Sequence, residues 1–60
     1  MVPLTGRERE VALRAAAGAS SRDIARSLTL SVRTVDNHLN RAYAKLGVTG
    51  RRDLPGALAG

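Results

Sequence analysis

The fold is decided by residues 20–47, which read SSRDIARSLTLSVRTVDNHLNRAYAKLG. Ser20 is followed three residues later by Asp23, and this spacing indicates the start of a helix, because the serine hydroxyl can accept a hydrogen bond from a free backbone amide. The helix is expected over about residues 21–28, and its apolar side consists of Ile24, Ala25 and Leu28.

The same stretch predicts a second, longer helix after a turn of about three residues. Ser31 is placed to cap it and Gly47 to end it. Its apolar residues step by 3, 4, 3 and 4 and form one continuous stripe of Val32, Val35, Leu39, Ala42 and Leu46. Two capped helices joined so closely form a helix-turn-helix, with Ala25 expected where they cross. The turn often needs one residue with positive φ. Thr29 is unfavourable there, because a β-branched side chain disfavours positive φ.

An earlier helix is expected in front of this pair. Thr5 and Glu8 have the spacing of a capping box, so the hydroxyl and the carboxylate can each accept from the other residue's amide. The helix should run to about Ala17 and end at Gly18, after an extended lead-in over residues 1–4. Its inner side is expected to carry Val11, Ala12 and Ala15.

The end of the chain gives conflicting signals for a fourth helix. A start is expected near Arg51, but Pro55 lies four residues later, where its missing amide cannot bond the Arg51 carbonyl. Proline also disfavours helical angles at Leu54. Residues 56–60 are therefore expected to be frayed.

Composition narrows the class of protein. The 60 residues are enough for one domain, and β-branched and aromatic residues are too sparse for a sheet. Without cysteine and with a single histidine, the chain is expected to contain no disulfide, metal site or cofactor. No membrane span or signal peptide is visible. Ten Lys and Arg against five Asp and Glu give a net charge of +5, which favours a polyanionic partner. The expected fold is all-α, a bundle of three to four helices containing a helix-turn-helix.

Several short motifs in order resemble the LuxR-type DNA-binding domain, also called GerE-, FixJ- or NarL-type. They are Leu4-Thr-Gly-Arg-Glu-Arg-Glu-Val11, Gly18-Ala-Ser-Ser-Arg-Asp-Ile-Ala25, Leu28-Thr-Leu-Ser31, Thr34-Val35, His38-Leu39 and Lys45-Leu-Gly-Val48. The resemblance covers about residues 4–54.

The resemblance implies a single domain over residues 1–60 that binds specific double-stranded DNA for a bacterial transcription regulator. Such domains usually follow a receiver or ligand-sensing domain, so the chain is expected to be a C-terminal fragment, with a stand-alone regulator as the alternative. A cytoplasmic, nucleoid-associated location is implied, and so is a homodimer formed on DNA or through a missing N-terminal domain. Contact with RNA polymerase is left open.

The longer helix, over about residues 32–46, is the expected recognition helix in the major groove. With the apolar stripe inward, Arg33, Asn37, Asn40 and Ala44 lie outermost. The residues expected near base edges, which are also base-facing positions in the family, are Arg33, Asp36, Asn37 and Asn40. Asp36 departs from the family, which often has lysine there. Pairing with Arg33 is the preferred interpretation, and accepting from a cytosine amine is the alternative.

Phosphate contacts are expected at helix starts, where free amides and the helix dipole favour an anion. The candidates at the start of the shorter helix are Ser20, Ser21 and Arg22. Further candidates, which extend the same surface along the longer helix, are Ser31, Thr34, Arg41 and Lys45. Arg7, Arg9 and Arg14 on the earlier helix are expected to be solvated or paired with Glu8 and Glu10. His38 is expected to pack at the edge of the core, with a hydrogen bond to a phosphate as the alternative.

Four other functions have weaker support. Region 4 of sigma factors has a similar Arg-Glu-Arg-Glu stretch and helix-turn-helix, but the Lys45-Leu-Gly-Val48 segment followed by Arg51 favours the LuxR-type interpretation. A protein-interaction helix-turn-helix would expose more apolar residues. A membrane-surface helix would carry bulky aromatic residues, which are missing. Catalysis is not expected, because no nucleophile, base and orienting group occur together.

Overall fold

The computed structural model describes residues 3–59 and contains four α-helices joined by short connections. A single 3₁₀ turn at Arg51–Asp53 leads directly into the last helix. The helices are α1 over Gly6–Ala16, α2 over Ser21–Leu28, α3 over Val32–Leu46 and α4 over Leu54–Ala59. With no strand among residues 3–59, the all-α prediction is confirmed. Part of the expected lead-in, Met1 and Val2, and the last residue of the tail, Gly60, lie outside the described residues.

Local hydrogen bonds fix where α1 begins and ends. The Glu8 amide donates to Thr5 Oγ1 at 3.2 Å, and the Thr5 amide donates to Glu8 Oε1 at 2.9 Å, so the expected capping box is complete. The helix ends at Ala16, one residue earlier than predicted, and Gly18 follows with a φ of 102° that side chains disfavour.

The turn between α2 and α3 closes tightly around one carbonyl. Thr29 has the left-handed conformation, with a φ of 56° and a ψ of 47°. The amides of Thr29 and Leu30 both donate to the Ala25 carbonyl, the second at 2.8 Å. Ser31 then caps α3 by accepting from the Thr34 amide at 3.1 Å. The turn therefore contains the residue with positive φ that a short helix-turn-helix connection often needs, although that residue, Thr29, is β-branched.

The core lies between α1 and the helix-turn-helix, and α4 closes it. Its buried apolar residues are Val11, Ala12, Ala15, Ile24, Ala25, Val35, Leu39, Ala42 and Leu54. The inner faces predicted for α1, α2 and most of α3 are confirmed. Val32 is the exception, since it is 43% exposed. It is the first residue of α3, where the apolar stripe runs past the edge of the core.

The predicted start of a fourth helix near Arg51 is confirmed as the 3₁₀ turn that leads into α4, whereas the expectation that the tail is frayed was wrong for residues 56–59. Residues 54–59 are helical, and Leu54 has helical angles with φ of −60° and ψ of −47°. The Arg51 carbonyl, which Pro55 cannot bond, instead accepts the Leu54 amide through the 3₁₀ turn. Pro55 then occupies the first turn of α4, where proline is tolerated. Burial of Leu54 in the core holds this arrangement in place.

Candidate nucleic-acid interface

The four residues predicted to contact bases all lie on the exposed part of α3. Arg33, Asp36, Asn37 and Asn40 are exposed, and they span the N-terminal two turns of the helix and the start of the next. The helix faces the core with Val35, Leu39 and Ala42, so the polar side is directed away from α1 and α4. This side offers one guanidinium, two amides and one carboxylate to a partner, a set that can both donate and accept hydrogen bonds.

Two of the predicted phosphate contacts are helix caps. Ser20 Oγ accepts from the Asp23 amide at 3.1 Å and caps α2, and Ser31 caps α3. Ser31 Oγ also lies 2.8 Å from Thr34 Oγ1, so one of these two hydroxyls donates to the other. The two caps stand at the starts of the two helices of the helix-turn-helix, where the backbone dipole favours a bound anion.

Asp36 has a partner that the sequence did not suggest. Ser21 Oγ donates to Asp36 Oδ1 at 2.8 Å, whereas no ion pair joins Asp36 to Arg33 within residues 3–59. The preferred pairing of Asp36 with Arg33 was therefore wrong. The start of α2 lies against α3, and it offers a hydroxyl proton on the side where Asp36 projects.

Arg51 extends the hydrogen bond between Ser21 and Asp36 into a longer chain of hydrogen bonds. Its Nη1 donates to the Ala19 carbonyl at 2.6 Å, and its Nη2 donates to Ser21 Oγ at 3.4 Å. The guanidinium thus ties the turn before α4 to the start of α2. Sequence reasoning used Arg51 only as a family marker and a helix start. Its partners lie 32 and 30 residues away, so no local pattern could have indicated them.

Lys45 also has an unexpected partner. Its Nζ lies 2.6 Å from Glu8 Oε1, and the side chains are 24% and 3% exposed. The hydrogen bond from Lys45, followed by that from the Thr5 backbone amide, holds the pKa of Glu8 below its ordinary value of 4.5, although burial opposes the shift. Lys45 stays a predicted phosphate contact, but its ammonium already joins α3 to α1.

The remaining charged residues of α1 form an exposed network. Arg7 lies 3.3 Å and Arg14 3.8 Å from oxygens of Glu10. The expected pairing with Glu10 is confirmed, whereas Glu8 pairs with Lys45 instead of an arginine. Arg22 and Arg41 are exposed on α2 and α3, as a phosphate contact requires. His38 is half-buried and its Nδ1 is enclosed without a hydrogen-bond partner among the described residues, which agrees with packing at the core's edge.

Among residues 3–59, no group of acidic, cysteine or histidine side chains could hold a metal ion. Within the same range, no helix has the length and apolar character needed to cross a membrane.

A short capped helix, a tight left-handed turn and a longer helix with an exposed polar side define the class of helix-turn-helix proteins. The chain belongs to the family described as bacterial regulatory proteins, luxR family, whose match covers residues 2–55. The resemblance seen in the sequence is confirmed. This is a DNA-binding domain of transcription regulation, a kind of protein that is not normally enzymatic, and the sigma-factor alternative is not favoured.

Curated relatives agree with this assignment. The chain is 47% identical over 51 residues to an HTH-type transcriptional regulator of Mycobacterium bovis. The matched segment covers 85% of the chain but only 6% of the length of that relative. It is 46% identical over 48 residues to the spore germination protein GerE of Bacillus subtilis, covering 80% of the chain and 65% of GerE. It is 39% identical over 54 residues to the transcriptional regulatory protein TdiR of Thauera aromatica, covering 90% and 24%. No solved structure matches the chain significantly.

Proposed function

We propose that this domain recognises a specific duplex sequence by placing the exposed side of α3 in the major groove. The observation that carries the proposal is the set Arg33, Asn37 and Asn40, exposed together on one side of α3. Arginine matches guanine O6 and N7, and asparagine matches adenine N6 and N7. The N-terminal part of a recognition helix is the part that reaches base edges in this class.

Affinity would come from cations and helix starts around this surface. Arg22 and Arg41 are exposed, and the capped starts of α2 and α3 at Ser20 and Ser31 direct free amides outward. The net charge of +5 supports attraction to a polyanion. Phosphate contacts of this kind hold the domain on DNA without selecting a sequence.

Two copies are proposed to meet on an operator with two half-sites, in the cytoplasm where the chromosome is accessible. No catalytic step is included, since the proposed contacts only bind DNA.

A salt titration with duplex DNA tests the proposal. If the domain neutralises about four phosphates, log K should fall with log salt at a slope near −3.6. Arg22→Ala should make this slope shallower by about one, whereas Arg9→Ala removes the same charge from α1 and should leave the slope unchanged. Binding that ignores salt, or that prefers anionic vesicles to duplex DNA, would overturn the proposal.

A further inference from the structure

We infer that Asp36 selects cytosine at one base pair of the operator, with its carboxylate held in place by Ser21. This inference rests on the proposed function, because it assigns a base to one residue of the proposed DNA-contacting surface. It depends on the carboxylate at this position and on the contact that the carboxylate makes with Ser21 of α2.

The carboxylate is oriented before any DNA arrives. Ser21 has a single hydroxyl proton, and it donates this proton to Asp36 Oδ1 at 2.8 Å. Arg51 donates to the same hydroxyl oxygen at 3.4 Å, which leaves the proton directed away from the guanidinium and toward Asp36. Arg51 is itself anchored on the Ala19 carbonyl at 2.6 Å. The hydroxyl that bonds Asp36 Oδ1 is therefore itself held from the turn before α4, and the hydrogen bond favours one orientation of the carboxylate.

The Ser21 hydroxyl is consequently not free to donate to a phosphate. Its proton is used by Asp36, and a phosphate near the carboxylate would be repelled by it. A contact between Ser21 and DNA would have to use the backbone amide at the start of α2. The Ser21 hydroxyl therefore acts as a positioning group for Asp36.

The second oxygen of Asp36, Oδ2, decides which base fits. Asp36 is exposed on α3 next to Asn37, and the oxygens of a carboxylate group accept hydrogen bonds. In the major groove guanine offers N7 and O6, both acceptors, and thymine offers the acceptor O4 beside a methyl group. Adenine offers one donor next to an acceptor, whereas cytosine offers only its N4 donor. An oriented group that accepts hydrogen bonds therefore favours cytosine and is repelled most strongly by guanine.

Selection from a random duplex library with the full chain and its variants tests the inference. The wild type should select cytosine at one position. Asp36→Asn still offers an oxygen to Ser21 but adds a donor, so at that position alone the preference should change toward adenine. The loss of preference for cytosine should be roughly 5- to 150-fold, the range that corresponds to one good base contact.

The variant Ser21→Ala, with Ser27→Ala as its control, tests whether Ser21 orients the Asp36 carboxylate, separately from whether Asp36 contacts the base. Ser21→Ala should weaken the preference for cytosine without changing the base, because the carboxylate stays but is no longer held. Ser27 is exposed on α2, so Ser27→Ala should leave every position unchanged. Thermal unfolding of each variant shows that the comparison is made on folded protein.

The outcomes distinguish the inference from the function on which it rests. A wild type that selects no sequence would overturn both. A wild type that selects a sequence which Asp36→Asn leaves unchanged at every position would overturn only the role of Asp36. Unchanged discrimination in Ser21→Ala would show that the hydrogen bond does not orient the carboxylate for DNA.

Discussion

Glu8 in the first turn of α1 holds Lys45 in the last turn of α3, with Oε1 and Nζ 2.6 Å apart. The two residues are 37 positions apart in the chain. The same carboxylate oxygen accepts the Thr5 amide of the capping box. One buried group therefore closes the start of α1 and also fixes the recognition helix against it.

The pH dependence of stability should report on this pair. The folded-state pKa of Glu8 is lowered, so its contribution is complete above the unfolded value near 4.5 and is lost as the pH falls through the lower folded value. Glu8→Gln should melt below the wild type at pH 7, and the difference should narrow below about pH 4.5. Glu10→Gln, which changes two exposed ion pairs, should melt close to the wild type. A constant difference between Glu8→Gln and the wild type over the whole range would contradict this account.

Replacing Lys45 should lower stability first. Lys45→Ala leaves the Glu8 carboxylate buried without its cation, so the melting temperature should fall more than in Arg41→Ala, where the lost charge is exposed. The matched measurement is the salt slope of DNA binding at a temperature where both variants are folded. Arg41→Ala should make the slope shallower by about one. A similar change in Lys45→Ala, with no loss of stability, would show that the lysine mainly contacts phosphate.

Asn37→Ala should relax selection at a single base pair. The expected loss is about 1–3 kcal/mol on the best site, because the substitution removes an exposed amide that we propose bonds adenine through two atoms. Affinity for random duplex should stay near the wild-type value, and binding measurements on both DNAs check this. Equal losses on the two DNAs would remove Asn37 from the residues that contact bases.

A larger residue in place of Ala25 should destabilise the packing between α2 and its neighbours. This side chain is 5% exposed, and Ala25→Leu adds carbon atoms to a filled core at a typical cost of about 1–3 kcal/mol. Stability and DNA binding should fall together in thermal unfolding and binding measurements. Ala44→Leu, on the exposed side of α3, is the control for stability. Equal melting temperatures for the two variants would show that residue 25 has room.

The 60-residue chain should be a monomer in the absence of DNA. The large apolar residues of α4 are already used within the domain, since Leu54 is fully buried and Leu58 packs partly against the core. Too little apolar surface remains on this helix for a stable interface. Sedimentation at about 100 μM, where even weak dimers form, provides the measurement. A stable dimer at that concentration would contradict the prediction and would indicate that the end of the chain forms an interface.

Sequence reasoning succeeded where the cause of a structure is local. Thr5, Ser20 and Ser31 are capping residues whose partners lie three positions away, so the helix starts follow from spacing alone. The stripe of α3 is likewise a local period. These features, with the family resemblance, were sufficient for the fold and for the helix that carries the proposed contacts.

It failed where the partner lies far along the chain. Asp36 was paired with the nearest cation on its own helix, whereas its partner is 15 residues away. Pro55 was treated as an interruption, because the 3₁₀ bond that takes over the Arg51 carbonyl depends on burial of Leu54 in the assembled core. Neither outcome can be obtained from propensity and spacing, since tertiary packing decides both.

The backbone of Thr29 has a consequence for the motions of the domain. A left-handed conformation costs a residue with a side chain about 1–2 kcal/mol, so the turn is under strain and stays closed only while packing on either side holds it. Local opening should begin there, before the helices themselves melt. The amides of Thr29 and Leu30 both donate to the Ala25 carbonyl, so their rates of hydrogen exchange would measure the local opening of this turn. When the turn opens, α2 and α3 cease to move as one rigid body, and the angle at which they meet is lost.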